Sequence, residues 1–150
     1  MENIHHPITQ REIPPSLAGV IVPVFTPCLA GGAIDWEGFR NFVAWLRDNP
    51  AVTALFVRCG LGKMYTYTLA DTKKAIEITM ETLDGKKPAM FGTFGEHFRT
   101  GLPSGVDLSH HLTIGKNRPD PKQYLEQTIE LTEYAREKGA MAGVLVVPCA

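Results

Sequence analysis

The sequence has 150 residues, 44% hydrophobic and 21% charged, with a formal net charge of −1. This is the composition of a globular chain with enough apolar material for one sizeable core. The near-neutral charge excludes an electrostatic case for nucleic acid or an anionic membrane as partner, and no apolar run approaches a membrane span.

Residues 1–17 are polar and interrupted by His5, His6, Pro7, Pro14 and Pro15. They read as a loosely docked arm ahead of a domain at 18–150. The arm has no apolar h-region, so it is not a secretory signal, and a cytoplasmic protein is expected. Gly19 to Phe25 is a short run rich in β-branched residues and reads as a strand buried on both faces. Pro23 is compatible with it only at the strand's end or at a bulge. Asp35 can cap a helix whose buried stripe is Phe39, Phe42, Val43 and Leu46. Asn49-Pro50 ends that helix, since the residue before proline is pushed out of the α region. Ala54 to Val57 is a second strand, and Arg58 to Gly62 is the tight turn after it.

Thr68 is the expected cap of a second helix with the inner stripe Ile76, Met80 and Leu83, closed at Asp84-Gly85. Pro88 to Phe91 is the weakest strand. Residues 94–119 have no period and hold four glycines, Pro103, Pro119 and three histidines. They read as one long loop, of a length unusual in compact domains unless it is functional or disordered. Asp120-Pro121 then supplies a cap with proline at the first helical position. Tyr124, Thr128, Leu131 and Ala135 share a face, Gly139 stops the helix, and Gly143 to Val147 is the fourth strand.

Strand and helix alternate throughout, which indicates right-handed parallel βαβ units. An open flavodoxin-like sheet and part of a closed barrel both fit. Periodicity alone does not separate them.

Several segments resemble, in order and spacing, the dihydrodipicolinate synthase and N-acetylneuraminate lyase family. These are the opening strand Gly19 to Pro27, the link Gly31-Gly-Ala-Ile-Asp35, and the strand and glycine turn Leu55 to Lys63. They continue with the helix start Tyr65 to Lys73, Phe91-Gly-Thr93, the helix Thr128 to Ala140, and Gly143 to Pro148. The resemblance implies an α/β fold, the N-terminal half of a TIM (β/α)8 barrel with four parallel strands and three helices. It also implies a class I aldolase or lyase acting on pyruvate or a related 2-oxo acid through a Schiff-base lysine, with no cofactor. That lysine lies on the family's sixth strand and its relay tyrosine after the fifth. A barrel of this type takes about 250 residues, so these 150 residues are expected to lack both groups and to be inactive alone. The partners expected are a small 2-oxo acid once a C-terminal half completes the barrel, and a homo-oligomer or another barrel half. The alternative is a non-catalytic half-barrel module that pairs with itself or with a full-length relative.

By the same resemblance Gly60, Leu61 and Lys63 stand where the family holds the substrate carboxylate, on a turn usually ending GTTGE. Both hydroxyl residues are replaced, by Gly60 and Leu61, and Lys63 replaces the glutamate. Backbone N–H groups of a glycine turn could still cradle an anion; Lys63 could add a cation or be a solvated loop charge. Cys28, Cys59 and Cys149 each follow a strand, and no CxxC pair exists. With His97 they could gather as a metal or redox site on the face where strand C-termini meet, or simply pack there as small soft residues. His110-His111 could serve a lid over the barrel mouth. Tyr65 and Tyr67 could meet a neighbouring subunit or pack on their own core.

Overall fold

The computed structural model describes residues 18–62, 67–95 and 120–145. Along the chain run β1 (Val20–Pro23), α1 (Trp36–Asp48), β2 (Val52–Val57), α2 (Leu69–Leu83), β3 (Ala89–Gly92), α3 (Pro121–Glu137) and β4 (Ala142–Val144). The four strands form one sheet in the order β1-β2-β3-β4, every pair parallel. A doubly wound sheet reverses direction at a switch point; this sheet never reverses. Right-handed crossovers between consecutive neighbours put every helix on the same side, and α1, α2 and α3 pack side by side there.

Local chemistry explains the element boundaries. Asp35 caps α1 by accepting from the Gly38 N–H at 2.9 Å. Thr68 and Asp71 form a reciprocal capping box at the start of α2. Asp120 accepts from Lys122 ahead of α3, with Pro121 at the first helical position. Gly139 ends α3 with φ +88°. The left-handed turn after α2 begins one residue earlier than the glycine suggests: Asp84 itself adopts φ 47°, followed by Gly85 at 69°. Pro23 is the last residue of β1, where a missing N–H is tolerated.

Alternation along the strands separates two faces. Leu55, Val57, Ala89 and Phe91 turn toward the helices. There they join Phe39, Val43, Leu46, Ala75, Ile76, Leu83 and Ala135 in one core. Phe56 and Met90, paired across β2 and β3, project from the opposite face and are half-buried. Tyr124, Thr128, Leu131 and Ala135 are the buried stripe of α3. On α1, Phe39, Val43 and Leu46 are buried, whereas Phe42 is only half-covered because it lies toward the outer flank of the helix layer. Of the long loop expected at 94–119, residues 96–119 lie outside the described residues, as does the arm at 1–17.

Candidate functional site

The C-terminal ends of β1, β2 and β3 converge on the turn Cys59-Gly60-Leu61-Gly62. Gly62 is required there: a Cβ on it would lie 2.6 Å from the Val24 carbonyl oxygen. The Gly62 N–H donates to the Cys59 carbonyl at 3.0 Å, closing the turn on itself. That donor is therefore spent within the turn.

The turn is tied to β1 through hydroxyls. Thr26 Oγ1 donates to the Gly62 carbonyl at 2.6 Å and lies 2.8 Å from the Tyr67 hydroxyl. Tyr67 is buried, and desolvation pushes its phenol up to about 12. It is held neutral at any physiological pH. Its ring also meets Trp36 edge to face at 6.4 Å. Tyr67 therefore packs on its own core.

The turn is tied to β3 through Arg58. This residue is 2% exposed and takes φ 55°, a left-handed conformation that costs a side-chain-bearing residue strain. Its guanidinium donates to the carbonyls of Gly92 at 2.9 Å and Phe94 at 2.5 Å and lies 4.2 Å over the Phe94 ring. A buried cation is tolerated only when it is hydrogen-bonded, and carbonyl oxygens and a π face supply that. Gly92 answers from the other side, since a Cβ there would meet the Arg58 carbonyl oxygen at 2.3 Å. The site's first strut, Arg58, was not singled out from the sequence. The signal was present: an arginine closing an apolar strand directly before a glycine turn.

Of the residues expected to bind substrate, Gly60 and Leu61 sit together at this mouth. Gly60 faces open space, and Leu61 is 61% exposed. Lys63 lies outside the described residues, as do Tyr65, His97, His110, His111 and Cys149. Cys59 is buried beneath the turn, and Cys28 donates to the Thr26 carbonyl at 3.6 Å. Among the described residues no group of three potential metal ligands comes together. What the turn can offer a ligand is a rigid glycine frame with an apolar side chain beside it.

Comparison with known proteins extends this geometry. The 4-hydroxy-tetrahydrodipicolinate synthase of Thermus thermophilus is 28% identical over 130 residues, 87% of this chain and 34% of that enzyme. The dihydrodipicolinate synthase of Aquifex aeolicus superposes with TM-score 0.62 at 23% identity, over 88% of this chain and 35% of its own. Over most of its length this chain is similar to members of the dihydrodipicolinate synthase and N-acetylneuraminate lyase family. The N-acetylneuraminate lyase of Mycoplasma synoviae shares the fold, with TM-score 0.63 at 17% identity, covering 87% of this chain and 36% of that one. No family model matches the chain. Relative to this dihydrodipicolinate synthase family, the chain spans about a third of the length of the members it matches. The four parallel strands and three helices of the described residues are those of half a (β/α)8 barrel. No helix among the described residues is long and apolar enough to cross a membrane.

Proposed function

We propose that residues 18–150 form the N-terminal half of a cytoplasmic Schiff-base lyase barrel whose substrate is pyruvate or a related 2-oxo acid. The observation that carries this is the unreversed parallel order β1 to β4, with a glycine turn braced at the strand C-termini, in a relative of 4-hydroxy-tetrahydrodipicolinate synthases. In barrels of this kind chemistry gathers at that end of the strands. Imine formation needs a neutral amine, so a lysine must be desolvated or set beside another cation. The lysine and the proton-relaying tyrosine come from a C-terminal half. The half supplied here contributes the floor under the substrate: Gly60 and Leu61, with Lys63 as a candidate cation for the carboxylate.

Borohydride reduction in the presence of labelled pyruvate tests the assignment. The 150-residue chain alone takes up no label; supplied with a C-terminal half of a relative, label appears on that half. Label on Lys63 of the chain alone would overturn it.

A second reading is favoured by the turn itself. Gly60 and Leu61 offer no side-chain hydroxyl, and Gly62 has spent its N–H on Cys59. A turn so altered suits a non-catalytic half-barrel that pairs with itself or with a full-length relative. Uptake of label by neither half, with or without the other, selects this reading.

A further inference from the structure

We draw no further inference here: the strongest candidate, the aromatic patch of Phe25, Phe42 and Trp45 on the outer flank of α1, is an unpartnered apolar face, and nothing in the structure shows what covers it.

Discussion

Arg58 and Tyr67 show how two residues brace a turn. Arg58→Met keeps the volume but leaves the Gly92 and Phe94 carbonyls without their donor. Relief of a buried charge offsets part of that cost, but methionine keeps the left-handed backbone strain and cannot pair the carbonyls. Each unsatisfied buried acceptor costs about 1–3 kcal/mol, so a net loss of about 2 kcal/mol is expected in urea unfolding. A loss under about 0.5 kcal/mol would mean the strut is dispensable. Tyr67 gives a pH signature. Its phenol titrates at about 12 in the folded chain against 10 when solvated. Between those values the native state keeps a proton that the unfolded state has lost, so stability falls as pH rises from 10 toward 12. Below pH 10 the stabilisation is fully present. Tyr67→Phe removes this slope and costs about 1 kcal/mol at neutral pH through the lost Thr26 bond; a slope that persists in the variant would assign it elsewhere.

At the scale of elements, the helices are held to the sheet by their apolar stripes. Arg40–Glu81 joins α1 to α2 at 3.1 Å and Lys73–Glu130 joins α2 to α3 at 2.5 Å, but both pairs are substantially solvent-exposed. Exposed pairs contribute about 0–1 kcal/mol. Phe39 is fully buried against β2 and α2 neighbours in the core. Phe39→Ala is expected to cost about 3–5 kcal/mol, whereas Glu81→Gln should stay within about 0.5 kcal/mol. Comparable losses from the two, measured by thermal or urea unfolding, would show that ion pairs and not packing fix the layer. The periodic stripes were also the most legible part of the sequence. All four expected residues of α3 are buried, and the caps at Asp35, Thr68 and Asp120 hold their helices as expected. Phe42 falls outside the stripe because helical spacing reports a face about 100° wide or more, not which neighbour that face meets.

At the scale of the whole molecule, the sheet of the described residues has β1 and β4 at its two edges and a half-buried inner face. Unpaired parallel edges are templates for association. Val20, at the start of β1, is exposed, and Val20→Lys should raise the soluble fraction and reduce high-mass species in gel filtration without shifting the far-ultraviolet spectrum. Unchanged self-association in that variant would place the sticky surface away from the β1 edge.

Helix and strand periods, caps and glycine stops were determined by the sequence alone, because they depend on contacts within a few residues. The choice between an open sheet and a half-barrel was not, because strand order is a relation among segments thirty or more residues apart; the unreversed β1-β2-β3-β4 order settles it. The site divides in the same way. Gly60 and Leu61 could be placed at the mouth from their position after β2. That Arg58 reaches across to β3, and that Thr26 and Tyr67 clamp the turn from β1, emerges only when three strand ends meet. Those bonds span 34 to 41 residues of chain, and no local pattern encodes them.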